Sequence, residues 1–247
     1  MKSRWFIIVA AVVVSAGVSI AWHEKEHHAI TVYATSLLPD DVPAFFREAA
    51  PDAAAHCSID SDLFKNKAVP HLTHAEFPEH FFDSEYLAGM EIPRLRYDYY
   101  ALCYANQIDP IQAGTLPWAI AEWLGRLTVA FAEHRARPDD ERIRQKCLVY
   151  AGLLAHYAGD LGQPLHTTVH WDGRVDEVGH ESPRTGIHMK VDGLLRKVPM
   201  TRSQIRDDLK PQVYEDPWVA ILDELSRSNA AVDTVYELED RLPALAD

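Results

Sequence analysis

In the stretch His156-Tyr-Ala-Gly-Asp160-Leu-Gly-Gln-Pro-Leu-His166, a histidine and an aspartate stand four residues apart, and a second histidine follows just past Pro164. Spacing of four puts both side chains on one face of a helix. From Cys147 to Leu161 the chain reads CLVYAGLLAHYAGDL, so a helix here is expected to be apolar all round and buried. A carboxylate buried without compensation is costly, so something must satisfy Asp160. Standing alone, the pair would read as a hydrogen-bonded His–Asp contact in a core. A second pair, His188-Met-Lys-Val-Asp192, repeats the spacing after a loop rich in Gly, Pro and charge. With His166 between them, the two pairs offer five nitrogen or oxygen donors. Zinc favours imidazole and carboxylate, takes three or four protein ligands, and keeps a position open where chemistry is done. Five donors exceed one such site and imply more than one metal ion.

Helices must position these donors. Pro138, Asp139 and Asp140 open the helix that carries His156 and Asp160, charged first and apolar later. Ala29, Ile30, Tyr33 and Leu37 give an earlier amphipathic helix after His27, ending near Pro39. Asp41 is expected to cap a short helix carrying Phe45 and Phe46. Thr115 and Pro117 open a longer one with Ile120, Trp123, Leu124, Leu127 and Phe131 at helical spacing, a stripe that reads first as core. Asp216 and Pro217 start the last, with Trp218, Ile221, Leu222 and Leu225 on one face. Residues 58–92 and 167–186 are expected to be long loops, and no strand alternation is sustained. The expected fold is all-α: one compact multi-helix domain, with no linker or repeat dividing it.

Four stretches, in order, resemble the zinc-dependent phospholipase C and single-strand-specific nuclease superfamily, bacterial members included. They are Trp22 with His27; Asp60 to Asp83, with SIDSDLFK and the element His80-Phe-Phe-Asp83; His156 to His166; and His188 to Asp192, preceded by HTTVHWDG. The resemblance spans nearly the whole chain from Trp22 onward. It implies a cluster of three Zn²⁺ ions at the centre of the helical domain. One ion would take Asp62, His80, His156 and Asp160, and a second would take His166, His188 and Asp192. The third would sit on His27 and on the amino nitrogen and carbonyl oxygen of Trp22, with Asp160 bridging it to the first. Asp60 is the alternative to Asp62, which is preferred because Lys65 follows at the family's distance; His28 is the alternative to His27.

A free α-amine on Trp22 requires cleavage before it. Lys2 and Arg4 precede an uncharged run from Trp5 to Ala21, and Ser19-Ile20-Ala21 ends it with small residues where signal peptidase reads them. The expected organisation is a signal peptide over 1–21 and a phospholipase C/nuclease-like domain over 22–247, exported to the periplasm or the medium. An uncleaved run would instead anchor the protein in a membrane. The formal charge of −13 becomes two units more acidic once Lys2 and Arg4 are removed. That balance gives no general basic patch for nucleic acid, although metal ions would make a pocket locally positive. Of the three cysteines, Cys103 and Cys147 fall in expected helices, so either a bridge between helices or buried thiols fits. His170 and Trp171, close after His166, are candidates for the pocket rim.

The expected reaction is hydrolysis of a phosphodiester by a metal-bound hydroxide, without a covalent intermediate. Asp62 would orient the water or take its proton, and Asp160 would join two ions. A nuclease for single-stranded DNA or RNA is favoured by the step from Trp22 to His27, by Lys65 and by Asp at 192. A phospholipase C acting on phospholipid head groups is favoured by HFFD and by the lack of the nucleases' Gly-Gly-Asn after His166. A zinc-loaded binding protein without turnover is the third reading. No protein partner is implied, and a monomer is expected.

Overall fold

The computed structural model describes residues 24–194 and 212–243. Trp22 and the expected signal peptide lie outside the described residues. The described chain is mostly helical, as expected, with 167–186 a loop and β pairing confined to two isolated bridges, Phe82 with Gly114 and Trp171 with Gly173. No helix among the described residues is long and apolar enough to cross a membrane.

Four helices form the frame. α1 (Glu24–Ser36) packs on α2 (Ala44–Cys57), and both lie against α8 (Glu141–Leu161), whose other side runs along α7 (Leu116–Ala136). Asp140 caps α8, its carboxylate accepting the Arg142 N–H at 3.1 Å, which satisfies one of the donors a helix start leaves open. α8 links two cores. Its Ile143, Cys147, Leu148 and Ala151 pack with Phe46, Ala50, Ala54 and Ala130, whereas its Tyr157 and Leu161 join Phe82, Tyr99, Trp118 and Trp218. α8 is not covered all round, however. Val149 is 37% exposed, because the flanking helices leave one line of the cylinder open and a lone surface valine costs little.

Two further expectations need correction. The helix expected from Asp41 starts at Ala44, after Pro43, and continues to Cys57 through Pro51. Burial of Phe46, Ala50, Ala54 and Ala55 outweighs the hydrogen bond that Pro51 removes. Residues 58–92 are not a loop: they fold into α3 (Asp60–Phe64), α4 (Pro70–Glu76) and 3₁₀ turns at Phe77–His80 and Ser84–Leu87. These pieces are too short to show a period in sequence. Beyond them come α5 (Arg96–Ala105), α6 (Pro110–Ala113), α9 (Ile187–Asp192), α10 (Pro217–Ala230) and α11 (Val232–Glu237). Asp216 caps α10 through the Trp218 N–H, and Trp218, Ile221 and Leu225 are buried on its inner face. The aromatic stripe of α7 is half-buried against the cores, with Phe131 edge-on to Phe46 and Trp123 against Tyr150. Cys57, Cys103 and Cys147 are all free thiols, so no helix-to-helix bridge forms.

Gly152 sets the spacing of α2 and α8. A Cβ built there would lie 2.5 Å from the Ala54 carbonyl oxygen and 2.6 Å from Cys57 Cβ. Alanine is the better helix former, but neither contact is the end of a flexible side chain, so overpacking prevails. Gly152→Ala is therefore expected to destabilise the protein by about 1–3 kcal/mol in a denaturant titration. An unchanged midpoint would mean that α2 moves freely.

Candidate metal centre

Asp160 lies one turn beyond His156 on α8, with no exposed surface. Four imidazoles converge on its carboxylate: His80 Nδ1 at 3.0 Å and His156 Nε2 at 3.3 Å from Oδ2, and His166 Nδ1 at 3.2 Å and His27 Nε2 at 3.4 Å from Oδ1. They arrive from the 3₁₀ turn after α4, from α8 itself, from the 3₁₀ turn Pro164–His166 and from α1. His27 reaches this depth beside Gly159, where a Cβ would come within 3.2 Å of its Nδ1. Its ring stacks on His156 with centroids 3.8 Å apart.

His80 Nδ1, His156 Nε2 and Asp160 Oδ2 form a triangle with sides of 3.0, 3.0 and 3.3 Å. Donors about 2.0 Å from a tetrahedral ion are about 3.3 Å apart, so the triangle has the size of one coordination face. Asp62 Oδ1 lies 4.0 Å from both ring nitrogens, too far for a hydrogen bond and within reach of a common ion. His166 Nε2 is buried with no hydrogen bond and faces Asp192 Oδ1 at 4.0 Å, while His188 Nε2 lies 2.9 Å from Asp192 Oδ2. Three groups of donors could therefore hold a metal ion: His27, Asp62 and His156; His80, His156 and Asp160; and His166, His188 and Asp192.

The structure places the sequence alternatives differently. Asp62 is buried among the histidines with Lys65 Nζ at 2.6 Å, whereas Asp60 is partly exposed and outside every group. His27 is buried and His28 exposed. Asp83, from the HFFD element, is buried but joins no donor group. Burial and the neighbouring Glu85 push its carboxyl well above the usual range. Trp171 does border the site, its ring edge-on to His188 at 5.4 Å. His170 instead ties its own loop together, its Nδ1 accepting the Val175 N–H at 3.0 Å.

Several supporting residues carry no signal of their own in sequence. His156 Nδ1–H donates to the Ser58 carbonyl at 2.7 Å and His166 Nδ1–H to the His80 carbonyl at 2.9 Å, which leaves each Nε2 for the cluster. Gln163 holds Asp192 through a 2.8 Å bond to Oδ1. Glu76 lies 3.6 Å from His80 Nε2 and accepts a hydrogen bond from the Tyr157 hydroxyl. At that distance no hydrogen bond forms, but Glu76 stands where a carboxylate commonly orients a ligating histidine from behind. Arg96 and Thr115 hold the adjacent Glu79, fixing the turn that presents His80.

Burial pushes the Asp160 carboxyl up, but attraction from His156 and His166 outweighs it and holds the group well below the usual range. Burial lowers His156 and His166, yet Asp160 raises both above the ordinary value. His27 is held down at about 4, by burial first and then by repulsion from His156. No protein-family model, curated protein or solved structure matches the chain.

The donor chemistry can be tested in two ways. Glu76→Ala is expected to weaken zinc affinity by about 10- to 100-fold in a chelator competition, with the fold kept; unchanged affinity would leave Glu76 without an orienting role. The second test concerns pH. His156 and His166 titrate above their unfolded value of about 6.5, so in chelated protein their contribution is complete below that pH and is lost as pH rises through their folded values. His27 is already neutral across this window. Metal binding requires neutral imidazoles and strengthens with pH. Melting curves from about pH 6.5 to 8 should thus show the chelated protein losing stability and the gap to the metal-loaded protein widening. Parallel curves would contradict the assignment.

Proposed function

We propose that the chain is a zinc-dependent phosphodiester hydrolase acting on single-stranded nucleic acid. The observation that carries this reading is the buried triangle of His80, His156 and Asp160, with sides of 3.0, 3.0 and 3.3 Å and a second donor group on His166, His188 and Asp192 beside it. In this reading Asp62, His80, His156 and Asp160 hold one ion, and His166, His188 and Asp192 a second. His27 serves a third, whose other expected ligand, Trp22, lies outside the described residues. Such ions, when bound, lower the pKa of a water toward about 7 and polarise a phosphoryl oxygen.

The chain's own residues do the rest. Asp62 reaches the cluster from α3 and would accept the proton of the attacking water. Lys65 fixes that carboxylate and places an ammonium next to the negative substrate. Asp160 faces His80 and His156 through one oxygen and His27 through the other, which suits a carboxylate shared between the first and third ions. Glu76, held by the Tyr157 hydroxyl, would orient His80 from behind. Lys65 beside Asp62 and the aspartate at 192 support the nuclease branch of the resemblance.

Phospholipid hydrolysis is the second reading. Its support is the exposure of Leu63, Val69, Leu72 and Phe77 on the segment that joins Asp62 to His80, which would suit contact with a lipid surface. A zinc-loaded protein without turnover remains the third.

The test uses purified, zinc-replete protein beginning at Trp22, assayed for release of acid-soluble nucleotides from single-stranded DNA and RNA. Chelator-sensitive release is expected, and Asp160→Ala and His156→Ala should lose both bound zinc and activity down to background. Release from phosphatidylcholine alone would select the lipid reading. Variants that kept their zinc would reduce the cluster to a buried hydrogen-bonded network, and a zinc-loaded protein inert on all substrates would be a binding protein.

A further inference from the structure

The His166–His188–Asp192 group is the most open of the three: the His188 side chain keeps 13% of its surface, whereas Asp160 and His156 keep none. Trp171 stands edge-on to His188, and the Arg184 guanidinium lies over the Trp171 ring, 4.1 Å from its centroid. Arg184 is exposed and makes no ion pair among the described residues, although Asp176, Glu177 and Glu181 share its loop. Arg174, on the same loop, is by contrast stacked on Tyr236 and paired with Asp233.

The position of Arg184 is built rather than incidental. Asp172 clamps the two ends of the loop together: its N–H donates to Ser182 Oγ at 3.0 Å, its carbonyl accepts the Thr185 N–H at 2.8 Å, and its carboxylate accepts the N–H groups of Gly186 at 2.7 Å and His188 at 3.2 Å. One residue thereby fixes Trp171, Arg184 and His188 relative to one another. Arg184 itself has φ +62°, a left-handed conformation unfavourable for a residue with a Cβ. Residues kept in that region cluster at functional sites, where surrounding contacts hold them.

We propose that Arg184, stacked on Trp171, is an anion subsite that binds a phosphate oxyanion of the substrate beside the His166–His188–Asp192 group. The inference rests on the phosphodiesterase reading and adds a substrate-binding residue to it. A guanidinium suits this role because it stays charged, offers a planar fork of N–H donors to two phosphate oxygens, and keeps those donors free at its edge while its face rests on an indole. In a chain of formal charge −13, a cation with no ion pair among the described residues, next to Trp171, would also counter the repulsion of a polyanion.

Calorimetric titration of inorganic phosphate into the zinc-loaded protein tests this without requiring turnover. Arg184→Ala is expected to weaken phosphate binding by roughly 10- to 100-fold with zinc content unchanged, and Arg184→Lys by less, since it keeps charge but loses the fork. Arg184→Gly separates folding from binding: glycine accepts φ +62° without strain, so its melting temperature should hold or rise while phosphate affinity falls. Equal phosphate binding by wild type and the Ala and Gly variants would overturn the proposal, as would a wild type that binds no phosphate. Steady-state assays identify the source of the oxyanion: a rise in KM with kcat kept points to the strand if seen on single-stranded DNA and to the head group if seen on phosphatidylcholine. If neither is hydrolysed while the phosphate difference stands, the hydrolase reading fails and the subsite survives.

Discussion

The structure depends on how one carboxylate, Asp160, is satisfied at zero solvent exposure. Four neutral imidazoles cannot balance its charge, and a buried charge without a partner is among the most destabilising things a core can contain. Protons on His156 and His166 can supply the balance, which is why those groups shift up while Asp160 shifts down. Divalent ions could supply it too, through the nitrogens of His80, His156 and His27 that face it. At such a centre protons and a metal ion would compete for one donor set, and ion binding would expel protons. A structural His–Asp pair needs one imidazole for one carboxylate, and four with interlocking contacts are hard to justify as packing alone.

The frame follows from that demand. α8 must bring His156 and Asp160 to a depth reached by α1, by the Phe77–His80 turn and by the Pro164–His166 turn together. Close approach depends on small residues of α8: Gly152 lets α2 come near enough for the Ser58 carbonyl to fix His156, and Gly159 leaves room for His27. The aromatic core of Tyr99, Trp118, Tyr157 and Trp218 forms on the same helix, and its Tyr157 belongs to core and site alike through its bond to Glu76. Stability and site geometry thus share side chains, so core changes near Tyr157 should propagate to His80.

What was legible in the sequence was whatever had a period or a fixed spacing. The two His–Asp pairs, the long helices and the caps at Asp140 and Asp216 all rest on contacts within four residues along the chain, and those survive folding unchanged. Glu76 also sits four residues before His80, but the two lie in separate short pieces, an α turn and a 3₁₀ turn, that no periodicity announces. Gln163 and Tyr157 lie inside the most informative stretch of the chain and read there as filler, because their roles depend on Asp192 and Glu76, 29 and 81 residues away. Asp172 is visible as part of HTTVHWDG but shows its role only once the loop closes on Ser182, Thr185 and Gly186. Pro51 misleads in the opposite direction, since a local breaker yields to the burial of α2 against α8.

Polarity across the site gives it a direction. Its closed end is the His27–His156 stack, sealed beneath α1 and α8, and its open end is His188 with Trp171 beside it. At the open end the positive charge is Arg184 over Trp171, while Lys65 lies against Asp62 and the molecule as a whole is acidic. Net charge of this sign repels nucleic acid and anionic lipid at long range, and salt screens that repulsion within about 10 Å. In the hydrolase reading, productive binding would then depend on short-range contacts near the donors. In a chain this acidic, attraction for a phosphodiester would have to be concentrated at the cluster, and the buried carboxylate that organises the fold also gathers the donors able to concentrate it.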